Sequence, residues 1–150
     1  MNVAEVIENF LSYVFESKPV LDSELSELIA HLDNLALAVA NSNYVLDETD
    51  YPDAPDRNYK VTYEKVSKRF PMLGYYNCVI DVSKNINGTS FSLGDAIDDI
   101  ADIVGDLEEV LWCFKNTSEN DALWNFHNNF KIHWGRHLRD LQLYLHDHSY

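Results

Sequence analysis

The sequence predicts an all-α fold: a bundle of four main helices plus a shorter fifth, in one domain spanning residues 1–150. Three observations carry this expectation. Apolar residues recur at three- and four-residue steps along four long stretches. Two of those stretches open with a serine followed three residues later by an acid, the pattern of a helix cap. The prolines, Pro19, Pro52, Pro55 and Pro71, all lie outside the periodic stretches.

Residues 3–17 place Val3, Val6, Ile7, Phe10, Leu11, Val14 and Phe15 on one face, and Pro19 marks the turn that follows. A second helix starts near Asp22 or Ser23, either of which can cap it. Its stripe is Leu25, Leu28, Ile29, Leu32, Leu35, Ala36 and Val39, and Asn41-Ser42-Asn43 stops it. Residues 44–58 hold Pro52, Pro55 and many acids and read as an acidic surface loop. The shorter helix covers 59–70, with Tyr59, Tyr63, Val66 and Phe70 on one side and Lys60, Lys65, Lys68 and Arg69 nearby; Pro71 ends it. Residues 72–91 are irregular, with Gly74 and Gly88 as turn formers and Cys78-Val79-Ile80 as one extended piece. The two long helices follow. One is capped by Ser92 with Asp95 and runs to about Phe114; the other is capped by Ser118 with Asp121 and runs to about Leu145.

Composition narrows the function classes. Eleven basic residues face twenty-five acidic ones, a formal charge of −14. Such a surface repels phosphate backbones and anionic lipid, so neither nucleic acid nor membrane is an expected partner. Basic proteins and cations are favoured. Cys78 and Cys113 form no disulfide framework and no zinc motif. No basic segment precedes an apolar run at the N-terminus, and no apolar stretch reaches bilayer length, so the expected location is cytoplasmic.

The most unusual feature is the fourth helix. On a wheel of about 100° per residue, Asp95, Asp98, Asp99, Asp102, Asp106 and Glu109 share one narrow face. Ile97, Ile100, Ile103, Val104, Leu107 and Leu111 lie opposite. The acids make six like-charge pairs at i,i+3 or i,i+4, which cost very roughly 1–3 kcal/mol together. No base appears on that face before Lys115. Three things could offset the repulsion. Lys60, Lys65, Lys68 and Arg69, or Lys131, Arg136 and Arg139, could lie across it. A divalent cation could bind it. Or a basic partner protein could cover it.

His127, His133 and His137 lie along the last helix, whose apolar stripe is Leu123, Phe130, Trp134, Leu138, Leu141 and Leu145. His133 and His137 stand one turn apart, a spacing that can chelate a transition metal. The simpler reading makes His137 a core histidine bonded to a carboxylate of a neighbouring helix. If the acidic stripe faces these histidines, Asp99, Asp102, His133 and His137 form a mixed site for Mg²⁺, Mn²⁺ or Zn²⁺. No Gly-rich phosphate loop or nucleophile elbow is present.

The second half resembles a bacterial family of small helical proteins known as a domain of unknown function. The likeness rests on Arg69-Phe70-Pro71-Met72-Leu73-Gly74-Tyr75-Tyr76, on Gly94-Asp95-Ala96-Ile97-Asp98-Asp99-Ile100-Ala101-Asp102, and on Asp106-Leu107. Asp121-Ala122-Leu123, Trp134-Gly135 and His137-Leu138 extend it, so that it covers roughly residues 59–146. The resemblance implies a helical bundle and a bacterial origin, and no particular activity. Gly105 and Gly135 are expected to mark where the two long helices cross.

Two functions are compatible with these features. The first is a non-enzymatic interaction module, immunity- or antitoxin-like, that needs no cofactor and binds a basic protein through Asp95, Asp98, Asp99, Asp102, Asp106 and Glu109. The alternative is a divalent-metal-dependent hydrolase of a small phosphorylated substrate, using the same stripe.

Overall fold

A computed structural model describes residues 1–150. The chain is mostly helical, with one small sheet. The elements are α1 (Val3–Val14), a 3-10 turn (Asp22–Glu24), α2 (Leu25–Asn41), α3 (Tyr59–Arg69), β1 (Tyr75–Val79), β2 (Phe91–Asp95) and α4 (Ala96–Asn116). The last rod comprises α5 (Glu119–Asn129), a π-helical turn (Phe130–Trp134) and α6 (Gly135–Ser149). The predicted helices all form, so the bundle expectation holds at that level. An all-α description does not, because residues 75–95 form an antiparallel hairpin.

The hairpin has a local cause. Tyr75, Val79, Phe91 and Leu93 are strand formers, and the register pairs Tyr75 with Asp95, Tyr76 with Gly94 and Val79 with Phe91. The left-handed turn positions fall on Asn85 (φ 50°) and Asn87 (φ 64°), whose short polar side chains tolerate them. Gly88, the expected turn former, has no positive φ. Pairing of Ser92 within β2 removes it from the helix cap. Asp95 takes that role, its Oδ1 accepting from Ile97 N–H at 3.0 Å. The second expected cap holds: Ser118 Oγ accepts from Asp121 N–H at 3.1 Å.

Helix α4 is central and packs against α1, α3, α5 and α6. Its apolar face joins one continuous core with Phe10, Leu28, Leu32, Phe126, Trp134 and Leu138, all fully buried. Arg69 is also buried, but away from α4. Its Nε donates to Tyr13 O (3.0 Å), one terminal nitrogen reaches Glu16 (3.1 Å), and the other bonds Lys18 O. It therefore fixes the α1–α2 connection.

Two glycines position side chains. A Cβ on Gly94 would lie 2.4 Å from the Tyr76 ring, so glycine lets that ring lie flat across β2 with its hydroxyl toward α4. A Cβ on Gly135 would lie 2.3 Å from Phe130 O, so glycine there permits the π turn. Gly105 faces Arg57. Neither Gly105 nor Gly135 marks a helix crossing: their close neighbours are a loop side chain and the rod's own backbone.

Gly94→Ala is expected to displace Tyr76 and cost about 1–3 kcal/mol through overpacking. Urea unfolding of the variant measures this, and an unchanged midpoint with unchanged slope would show that the ring does not need the glycine.

Candidate metal centre

All six stripe residues lie beside one another on α4 or at its cap, but they do not form an exposed face. Asp99 is 5% and Asp106 3% exposed. Five of the six carboxylates accept a hydrogen bond from across the bundle, and Asp102 accepts none. Asp95 accepts from Tyr63 OH (2.8 Å), Asp98 from Tyr59 OH, and Asp99 from Tyr76 OH. Arg57 bridges Asp106 (2.7 Å) and Glu109 (2.6 Å). The last rod supplies His133 and His137. None of the bases expected over the stripe pairs with it: Arg136 is held by Asp140 at 2.8 Å, and Arg139 by Gln142 at 3.1 Å. The acids are hydrogen-bonded inside the chain, mostly by neutral tyrosines and imidazoles, and Arg57 is the one arginine or lysine paired with them.

Arg57, Tyr59, Tyr63 and Tyr76 were not legible as partners. The tyrosines share the helical and strand spacing of core residues. Arg57 belongs to the acidic loop, which is not simply solvated: Val45 N–H donates to Asn120 Oδ1 (3.0 Å), and Asp47 bonds Ser118 and Tyr51. These bonds, that from Ser118 foremost, hold the Asp47 carboxyl well below the usual range.

The histidines show a common geometry. His137 Nδ1 is 2.7 Å from Asp99 Oδ1, and His133 Nδ1 is 2.7 Å from Asp106 Oδ2. An ionised carboxylate only accepts, so each Nδ1 carries the proton and each Nε2 keeps its lone pair in the neutral ring. Both Nε2 atoms point toward Asp102 Oδ2, at 3.3 Å from His137 and 4.0 Å from His133. The π turn helps set this orientation, since it contains His133 and ends one residue before α6 begins. The His133 side chain is 41% exposed, so the cluster opens to solvent.

Electrostatics agree with the geometry. Burial raises the Asp99 carboxyl, against the lowering effect of His137 and Tyr76. Burial, then the charge of Asp98, raises Asp102. The bond to Asp99 raises His137 against the effect of burial. The bond to Asp95, with some desolvation, pushes Tyr63 up to about 12. For Arg57, burial opposes the charge but bonds to Glu109 and Asp106 prevail and raise it.

The expected set of Asp99, Asp102, His133 and His137 is thus brought together, with a division of labour. Asp102, His133 and His137 offer atoms within 4.8 Å of one another. Asp99 orients His137, and Asp106 does the same for His133. His127 faces elsewhere, 3.0 Å from Ser42 Oγ.

The chain matches the family described as a domain of unknown function (DUF5063) over residues 1–150. It belongs to that family. The match covers the first half too, beyond the segment in which the likeness is read from motifs. No curated protein matches the chain. Among solved structures it is similar to the crystal structure of protein BF1032 from Bacteroides fragilis, with a TM-score of 0.77 and 19% identity. The alignment covers 99% of this chain and 90% of that one, which shows a shared fold. No helix of this DUF5063 chain is long and apolar enough to cross a membrane.

Replacing Arg57 with Met leaves Asp106 buried with His133 as its only partner. Because Arg57 is partly exposed, the expected loss is about 1–2 kcal/mol, less than for a fully buried pair. Chemical denaturation of Arg57→Met, Asp106→Asn and the double variant measures it. Additive losses in that cycle would mean that the two residues do not support each other.

Proposed function

We propose that this protein is a metal-dependent hydrolase built around one borderline transition-metal ion of the Zn²⁺ class. The observation that carries the reading is the convergence of two imidazole Nε2 atoms on Asp102, each ring fixed from behind by a carboxylate. Tetrahedral coordination at about 2.0–2.1 Å separates ligand atoms by about 3.4 Å. The His137–Asp102 distance of 3.3 Å already fits, and His133 must close from 4.0 Å. Two imidazoles favour Zn²⁺, Co²⁺ or Ni²⁺ over Mg²⁺, which prefers oxygen. Three protein ligands leave a position for water, and a bound ion of this class lowers the pKa of that water to about 7.

The chain's own residues complete the chemistry. Asp99 and Asp106 hold the Nδ1–H tautomers and raise ligand basicity. Asp98, bonded to Tyr59 and grouped with Asp99 and His137, would be the carboxylate to accept a proton from an attacking water. A phosphorylated substrate suits the site poorly, since an approaching anion meets six carboxylates and only one arginine. An immunity- or antitoxin-like role is the weaker reading. A basic partner would need the six carboxylates as a surface, and Asp99 and Asp106 are interior.

Thermal unfolding with and without metal tests the proposal. Zn²⁺ or Co²⁺ at about 100 times Kd should stabilise the protein by about 2.7 kcal/mol, and Mg²⁺ should do little. Asp102→Asn, His133→Ala and His137→Ala should each abolish the shift. Asp106→Asn should weaken ion affinity by about 10–100-fold. A shift that persists in His137→Ala, or none with any of these ions, would remove the metal centre and the hydrolase with it.

A further inference from the structure

We infer that the outer face of the hairpin is a self-association surface, on which a second copy of this chain packs hairpin against hairpin; the inference stands apart from the metal centre. Side chains alternate between the two faces of a strand. The inner face carries Tyr76, whose hydroxyl bonds Asp99, and Cys78, whose Sγ is 3.4 Å from Asp140 Oδ2. The register then places Tyr75, Asn77 and Val79 of β1 with Phe91 and Leu93 of β2 on the opposite, outer face.

That alternation is inverted. An antiparallel sheet packed on one side turns its apolar side chains inward and its polar ones to water. Here β2 sends Ser92 and Gly94 inward and Phe91 and Leu93 outward. Tyr75, Phe91 and Leu93 are 69%, 77% and 70% exposed, and Val82 and Ile86 add exposed apolar surface at the turn. Together these five side chains expose on the order of 600 Å². A standard interface takes about 800 Å² from each partner, and Asn77, Val79 and the strand backbone can supply the rest.

Charge selects the occupant. The chain carries a formal charge of −14, yet residues 75–95 hold only Asp81, Lys84 and Asp95 as charged groups. Asp95 is spent on Tyr63 OH and Ile97 N–H. A basic partner finds no row of carboxylates on this face, and an anionic bilayer is repelled by the chain as a whole. A second copy sets one uncharged apolar face against its match, and a two-fold axis makes a single surface sufficient for both sides of the contact. The like-charged bodies repel at longer range, where salt screens them.

Sedimentation equilibrium from about 1 to 300 µM should show a monomer–dimer equilibrium with a micromolar Kd. Raising NaCl from about 50 to 500 mM should tighten it, because screening relieves the repulsion while the apolar contact persists; a contact between opposite charges would loosen instead. Phe91→Thr keeps a strand former at an exposed site, and Leu93→Lys brings a charge onto the face. Each should retain the helical circular dichroism signal and weaken dimerisation at least about tenfold. Leu37→Lys, at an exposed site on α2, should dimerise like the parent, and so should the His133→Ala/His137→Ala double variant. A monomer at every concentration, a dimer that loosens with salt, a dimer that survives both hairpin substitutions, or an equal loss in Leu37→Lys would each overturn the inference. A monomer that instead sediments with phosphatidylcholine vesicles would give the face to lipid and overturn it as well.

Discussion

A helix that carries carboxylates along one side normally turns that side to water, where repulsion is screened and each charge is hydrated. Helix α4 instead turns Asp99 and Asp106 inward, and the surrounding structure supplies what water would have supplied. An interior carboxylate needs donors, because desolvating it without hydrogen bonds is costly. The donors come from four places: the end of the acidic loop (Arg57), α3 (Tyr59 and Tyr63), the hairpin (Tyr76) and the last rod (His133 and His137). The acidic loop, the short helix α3 and the hairpin each supply one or more of these contacts. Neutral phenols dominate, so the negative charge is bonded but not cancelled.

This constraint explains two departures from ideal geometry. Tyr76 can reach Asp99 only by crossing β2 where a side chain is missing, which is the place of Gly94. The last rod accommodates a π turn at Phe130–Trp134, and Gly135 makes room for the displaced carbonyl. The same turn contains Trp134, fully buried with its Nε1 donating to Phe126 O at 3.3 Å. One side of the rod thus anchors in the core while the other presents His133 and His137 to α4.

The helices were legible because burial requires apolar residues at helical spacing, and each predicted stripe contributes to the core, although Phe15 and Tyr59 at the stripe ends are exposed. The hairpin was legible only in part, as the extended piece of which Cys78 and Val79 belong to β1 and Ile80 does not; its second strand was hidden by the capping pattern and its turn depends on two asparagines. Ser92-x-x-Asp95 satisfies the capping pattern, but strand pairing claims Ser92 first. The acidic stripe and the His133–His137 pair were both visible as sequence features. Their mutual orientation was not, because helix rotation is fixed by contacts distant in the chain. The identity of the compensating groups was least accessible. Pair rules direct attention to lysine and arginine, whereas this fold uses tyrosine hydroxyls, which carry no charge signal.

The same preference decides what chemistry the site can host. Had lysines covered the stripe, its charge would be neutralised and Asp102 would have no reason to seek another partner. Phenols satisfy hydrogen bonds but leave the field in place, and burial then raises the Asp99 and Asp102 carboxyls above the usual range. A region in which ionised carboxylates are held close at an energetic cost is one where a cation lowers the free energy most. In the metal-dependent reading proposed above, an ion would answer this at Asp102, toward which the Nε2 atoms of His133 and His137 already point. That opportunity follows from one choice made in the sequence, the pairing of acids with neutral donors.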